Sequence, residues 1–241
     1  MNFPPITLYR APGACSLTPH ILLQELGIPF KSVVMTYTVA GVAAADGSIT
    51  AEEYKRDIHP QGYVAALQVD NTVITELPAI ALTIISLARA HGKSELAADL
   101  DGGDDILRRG KCMEWLAWLS GTLHGAGYGA YLRPARYSVD KSEQALELVK
   151  AKGMLTIKDC YRLIEEKLKA NVAAGGSEAH ALGSKFTVVD VAMYNFWLWG
   201  PRNGIDMVKT YPGYTEVVRG VEKRDAVRRA LEVEELPLKL S

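Results

Sequence analysis

Cys15 and Ser16 stand side by side just after a Pro12-Gly13 turn, and these are the residues whose types and spacing most plainly permit chemistry. Residues 6–9, Ile-Thr-Leu-Tyr, read as a short strand ahead of them. Leu17, Ile21, Leu22 and Leu26 give the apolar spacing of a helix behind them. The order is therefore strand, tight turn, then a thiol and a hydroxyl at a helix start. A helix N-terminus leaves backbone N–H groups free and carries partial positive charge. Such a place stabilises a thiolate, either the protein's own or one brought by a ligand. The plainer reading of Cys15 is a buried inert thiol, because free cysteine is commonly a core residue.

Composition narrows the partners. The chain has 241 residues, 48% of them hydrophobic, enough for one large domain or two smaller ones around a sizeable core. A net charge of −1 gives no broad attraction to nucleic acid or anionic lipid, so neither partner is expected. The basic cluster Lys223, Arg224, Arg228 and Arg229 falls in a helical pattern and reads as a solvated face. No secretory signal is expected from the N-terminal residues. No apolar run reaches the roughly 18 residues of a membrane span, and residues 80–90 read as a buried helix. The three cysteines, Cys15, Cys112 and Cys160, are far apart and lack CxxC spacing. A disulfide framework is not expected, and a reducing, cytoplasmic location is. The five histidines (His20, His59, His91, His124, His180) are dispersed without metal-ligand spacing, so no metal is expected.

The elements that must position Cys15 follow from pattern. Residues 16–26 read as a helix stopped by Gly27, 30–35 as a second strand, 40–48 as a loop and 51–57 as a short helix. Residues 65–69 and 72–74 read as a hairpin about Asp70-Asn71. Residues 76–89 read as a helix with Pro78 in its first turn. This β-α-β-α-β-β-α order is that of a thioredoxin-like domain. Residues 97–105 form a polar connector. Helical patterns then cover 106–132, 141–173, 188–200 and 215–233, with Gly175-Gly176-Ser177 separating the second from the third. The chain is expected to divide near residue 95. The resulting units are 1–92, α/β and thioredoxin-like, and 93–241, all-α.

Segments in this order resemble the bacterial beta-class glutathione S-transferases. Ala11-Pro-Gly-Ala-Cys15-Ser16-Leu-Thr-Pro-His20 is similar to the start of that family. His59-Pro-Gln-Gly-Tyr63-Val64-Ala65-Ala-Leu67 looks like its Asn-Pro-Lys-Gly-Gln-Val-Pro-Ala-Leu. Thr75-Glu76-Leu77-Pro78-Ala79-Ile80 and Phe186-Thr187-Val188-Val189-Asp190 match two further stretches. The resemblance implies the glutathione S-transferase fold, glutathione as co-substrate or cofactor, and a homodimer. It places Val64, after Tyr63, against the cysteinyl residue of glutathione, paired like one more strand on a sheet edge. It places Glu76 against the γ-glutamyl ammonium, and the N–H groups from Leu77 onward against the γ-glutamyl carboxylate. Alone, Glu76 reads as a helix-dipole partner. Thr187 and Asp190 form a capping box with a structural role.

The pattern is broken at several positions. Ala65 stands where the family has a cis-proline. Either Val64–Ala65 is trans with a rebuilt loop, or the fold holds a cis bond that costs about 2.5–4 kcal/mol. Leu77 replaces Ser or Gly. His124 aligns with a histidine that reaches over the thiol, although alone it reads as a helix-face residue. The family's lysine after it is Gly125, and its upstream asparagine and glutamate are Ala117 and Thr122. Gly125, Gly127 and Gly129 follow a helical run and precede no Gly-Lys-Ser/Thr. They thin or weaken a helix and do not cradle phosphate.

The implied reaction is attack of a glutathione thiolate on an electrophilic or unsaturated small molecule. Cys15, Ser16 and His124 are the candidate catalytic groups. Arg10, at the end of the first strand, is expected to border the second-substrate pocket, which Tyr128, Tyr131 and Leu132 would line from the 93–241 side. The alternatives are a glutathione-dependent double-bond isomerase, a thiol-redox variant acting through Cys15, and a non-catalytic binding protein that kept the fold.

Overall fold

A computed structural model describes residues 2–173 and 180–240. The elements run β1 (Ile6–Arg10), α1 (Leu17–Glu25), β2 (Lys31–Thr38), β3 (Gly41–Ala44), α2 (Ala51–Glu53) continued by a π turn (Tyr54–Ile58), β4 (Ala66–Val69), β5 (Thr72–Thr75) and α3 (Leu77–Ala90). Then follow α4 (Ser94–Ala97), α5 (Ile106–Trp118), a π-helix (Leu119–Gly129), α6 (Ala130–Leu132), a 3-10 turn (Pro134–Arg136), α7 (Glu143–Ala173), α8 (Val188–Arg202), α9 (Met207–Thr210), α10 (Pro212–Glu222) and α11 (Asp225–Val233). The Gly175-Gly176-Ser177 break lies outside the described residues.

The five strands form one sheet in the order β3-β2-β1-β4-β5. β1 runs parallel to β2 and antiparallel to β4, with Leu8 opposite Leu67 and Tyr9 opposite Ala66. Strand alternation separates two faces. Ile6, Leu8 and Leu67 enter a core with Ile21 and Leu22 of α1 and Ile80 and Ile84 of α3. Tyr9, Val33, Met35 and Ala66 pack on the other face against Tyr54. The hairpin forms about Asp70, whose φ of 51° is the left-handed conformation that Asp and Asn tolerate.

The stretch expected as a loop over 40–48 instead contains β3. β2 extends to Thr38 and turns through Gly41, whose φ is 131°. Met35 then pairs with Ala44 and Tyr37 with Val42. The Val33-Val34-Met35-Thr36-Tyr37 run is a strong strand former, and it recruits a weak, alanine-rich partner.

Among the described residues every strand precedes α3, and the elements after it are helices and helical turns. The two halves share one core, which runs from Ile6 through Leu116, Ile164 and Val191 to Leu231. At the crossing of α7 over the π-helix the backbones come very close. A Cβ on Gly153 would sit 2.6 Å from the Tyr131 nitrogen, and one on Gly127 would sit 3.0 Å from Ile157 Cγ1. The Asp190 carboxylate accepts hydrogen bonds from the Thr187 N–H (2.7 Å) and hydroxyl (3.1 Å), which fixes the start of α8.

Candidate active site

The β1–α1 turn is built from its own small residues. The Ala14 N–H donates to the Ala11 carbonyl at 3.1 Å, and Gly13 takes a φ of 66°, where a side chain is disfavoured. Ser16 closes the turn. Its hydroxyl donates to the Ala11 carbonyl and accepts from the Ala11 N–H, both at 3.1 Å. Ser16 is fully buried and its one proton is committed to the turn, so the hydroxyl acts as a clasp in this arrangement and is not aimed at a ligand.

Helices of the second half grip the same turn. The Gly13 carbonyl accepts from Trp199 Nε1 (2.9 Å) and Arg202 (3.2 Å), both on α8. The Gly13 N–H donates to Glu234 at 2.8 Å. Glu234 also pairs with His20 Nδ1 at 2.8 Å and lies 3.6 Å from the Arg10 guanidinium, all three side chains being buried. None of these tethers had a local sequence signal. Glu234 follows α11 and meets Gly13 only through the fold.

Cys15 is 8% exposed, and its Sγ–H donates to the Val64 carbonyl at 3.2 Å. The Val64–Ala65 bond is cis, the second of the two arrangements the sequence left open. Burial pushes the thiol up to about 11, against the opposing pull of backbone hydrogen bonds at Ala65 and Cys15 and of the Arg133 charge. The group is therefore a protonated donor at neutral pH.

Glu76 caps α3 with φ 69° and ψ 124°, a conformation rarely adopted by a residue with a side chain, and its side chain is exposed. Strain of this kind costs about 1–3 kcal/mol and concentrates at functional positions. Leu77 is buried and begins α3, with Pro78 following it in the first turn. Tyr63, 37% exposed, offers its ring at the surface, while its carbonyl accepts from the buried Tyr54 hydroxyl at 2.8 Å.

His124 is half-buried on the π-helix, its ring 5.1 Å from Trp199 and 5.7 Å from Phe196. Burial, and secondarily the Arg133 charge, lower its pKa to about 4, so the ring is neutral at pH 7.

Two expected substrate contacts turn inward. Arg10 lies on the same strand face as Ile6 and Leu8, so alternation sends it under the helices; it is 3% exposed and bonds Ser32 Oγ at 2.7 Å. Tyr128 is fully buried where α7 and α8 close on the π-helix, its hydroxyl 2.5 Å from that of Tyr161. Tyr131 is partly buried, and Leu132 is exposed.

Comparison with known proteins agrees with this geometry. No protein-family model matches the chain. It is 28% identical over 193 residues to "Glutathione S-transferase GstA" of Escherichia coli O157:H7, covering 80% of this chain and 81% of that one. A bacterial beta-class glutathione S-transferase from Sphingomonas chungbukensis superposes with a TM-score of 0.73 at 28% identity, covering 96% of this chain and all of that one. A sphingomonad glutathione S-transferase solved in complex with glutathione gives 0.71, also at 28% identity and with the same coverage. The chain has the fold of the glutathione S-transferases and resembles their bacterial beta class. It carries a beta-class-like pattern on a thioredoxin-like sheet region followed by helices.

Two shallow grooves of 430 and 500 Å³, lined around Arg108 and Trp115 and around Lys223 and Arg229, contain none of the residues above. Among the described residues there is no cluster of metal-ligating side chains, and no helix is long and apolar enough to cross a membrane.

Proposed function

We propose that the protein binds glutathione and presents its thiolate to an electrophilic small molecule. The observation that carries the reading is the convergence of Cys15 Sγ on the Val64 carbonyl at 3.2 Å, beside a strained Glu76 at the start of α3. Glutathione would lie along Val64 with its γ-glutamyl end at Glu76 and the Leu77 N–H, on the sheet-bearing part (1–92). The second substrate would come from the helical part (93–241).

In that pose the cysteinyl N–H of glutathione takes the Val64 carbonyl. Cys15 S–H is released to donate to the glutathione sulfur, joined by the Cys15 backbone N–H that already bonds the Cys15 sulfur, since the Leu17 and Thr18 N–H groups are held by the Ala14 and Cys15 carbonyls. Free glutathione titrates near the usual thiol value of about 8.5, and these donors favour its thiolate. The thiolate attacks carbon, a C–S bond forms, the leaving group departs with its electron pair, and the thiol proton passes to solvent. The high pKa of Cys15 supports a role as donor and weighs against Cys15 itself as the attacking thiolate. Ile106 and Leu107, 80% and 78% exposed at the start of α5, support assembly as a homodimer, which sedimentation would test.

Calorimetric titration with glutathione tests the reading, with Glu76→Ala as control. Saturable binding that weakens at least tenfold in the variant is the expected result. No binding by the wild-type protein would overturn it in favour of a non-catalytic protein. A rearranged product of unchanged mass, formed only with glutathione, would assign the isomerase alternative.

A further inference from the structure

Arg133 and Arg136 are two cations that the proposed reaction does not use. They bracket the 3-10 turn after α6, and the Arg136 N–H donates to the Arg133 carbonyl at 3.0 Å. Side chains three apart in such a turn project from the same edge. The Arg133 guanidinium lies over the Tyr37 ring (5.5 Å) and that of Arg136 over the Tyr63 ring (4.6 Å). Tyr37 lies near the end of β2 and Tyr63 in the loop before β4, beside Val64, so the arginines span from the helices to the sheet-bearing part of the chain. Tyr37 and Tyr63 are 56% and 37% exposed, which puts the pair at the surface of the site.

The charges are uncompensated. Arg89, Arg108, Arg162 and Arg224 each face a carboxylate, whereas Arg133 and Arg136 enter no ion pair among the described residues. Arg133 also hydrogen-bonds the Tyr37 side chain, while Arg136 over the Tyr63 face keeps its in-plane N–H fork free. A guanidinium has more N–H donors than one such bond uses, so both arginines retain donors that match a carboxylate. The segment is also fastened. The Tyr137 hydroxyl donates to the Gly125 carbonyl at 2.7 Å, and Lys141 Nζ donates to the Ala135 and Ser138 carbonyls. Little ordering remains to be done when a ligand arrives.

We infer that Arg133, with Arg136 beside it, is a carboxylate-binding pair for the second substrate, which is therefore an acidic electrophile. This rests on the glutathione reading above. The Arg133 charge is felt by both Cys15 on the thiol turn and His124 on the π-helix. Glutathione laid along Val64 to Glu76 occupies the sheet edge. The helical wall carrying Arg133 is the side from which an electrophile reaches the sulfur.

The test compares a chloronitrobenzoate with the corresponding chloronitrobenzamide at saturating glutathione, each normalised to its uncatalysed rate. The thiolate forms the C–S bond, the C–Cl bond breaks, chloride leaves with the bonding pair and the thiol proton goes to buffer. The acid is expected to exceed the amide in kcat/KM by about tenfold or more, the scale of one charged hydrogen bond. Arg133→Gln and Arg136→Gln move that ratio toward one, and Arg133→Lys retains part of it. A wild-type ratio of one, or a ratio unmoved by either glutamine variant, overturns the inference. So does a rise in KM for glutathione that γ-glutamylcysteine does not share, because the pair would then hold the glycyl carboxylate. Titration with nitrobenzoate in the absence of glutathione separates the two readings. Binding that weakens in Arg133→Gln upholds the carboxylate pair even if glutathione itself fails to bind, and absence of binding there counts against it.

Discussion

The backbone N–H of Gly13 donates to the carboxylate of Glu234 at 2.8 Å, joining the turn before Cys15 to the end of α11, 221 positions away. The same carboxylate faces His20 and Arg10 in a fully buried cluster. Removing it strands a cation, a ring and a backbone donor together. Glu234→Ala is expected to lower unfolding free energy by about 3–5 kcal/mol, measured by urea denaturation, because breaking a buried pair leaves its partner uncompensated. Glu232→Ala, on the exposed face of α11, should stay within about 0.5 kcal/mol. Equal effects from both would remove the tether from the account.

Cys15 should react slowly with iodoacetamide. With its pKa pushed up to about 11, its thiolate fraction at pH 8 is about two orders of magnitude below that of an ordinary cysteine. Peptide mapping after timed alkylation measures this residue apart from Cys112 and Cys160. The rate should keep rising with pH up to the limit of native stability. Fast, pH-independent labelling near neutrality would show a thiolate instead.

The sequence made the framework of this site readable. The strand, turn and helix around Cys15 follow from Ile6, Leu8, Gly13 and the Leu17-Ile21 spacing, and the hairpin follows from Asp70-Asn71. Local chemistry dictates these. β3 was not readable, because Gly41-Val-Ala-Ala pairs only on the template that β2 supplies. Nor was the inward turn of Arg10, since a strand-end arginine is buried only if a distant carboxylate meets it, and Glu234 carries no mark of that role. Tyr128 likewise reads as a pocket residue until Gly127 and Gly153 bring two helices together over it. What escaped the sequence is long-range pairing.

Glu76 should show a trade between stability and binding. At φ 69° glycine is unstrained, so Glu76→Gly is expected to match or exceed the stability of Glu76→Ala by up to about 1 kcal/mol in thermal unfolding. Both variants should lose glutathione affinity in calorimetry. If alanine is the more stable of the two, the strain at this position is absent.

Acid should weaken the fold partly through His124. Its folded pKa of about 4 lies below the unfolded value of about 6.5, so the unfolded chain binds the extra proton in between. The contribution is fully present above about pH 6.5 and is lost as pH falls toward 4. His124→Phe should therefore show a shallower decline of Tm between pH 7 and pH 4.5 than the wild-type protein. Parallel declines would mean that the ring is already solvated in the native state.

The indole N–H of Trp199 is bonded to the Gly13 carbonyl, two residues before Cys15, while its ring lies edge-on to His124 and Tyr128. Indole emission responds to just such a neighbour. The molecule thus carries an optical probe wired to its thiol turn, and a Trp199→Phe subtraction would turn ligand-induced shifts of that turn into a fluorescence signal needing no label.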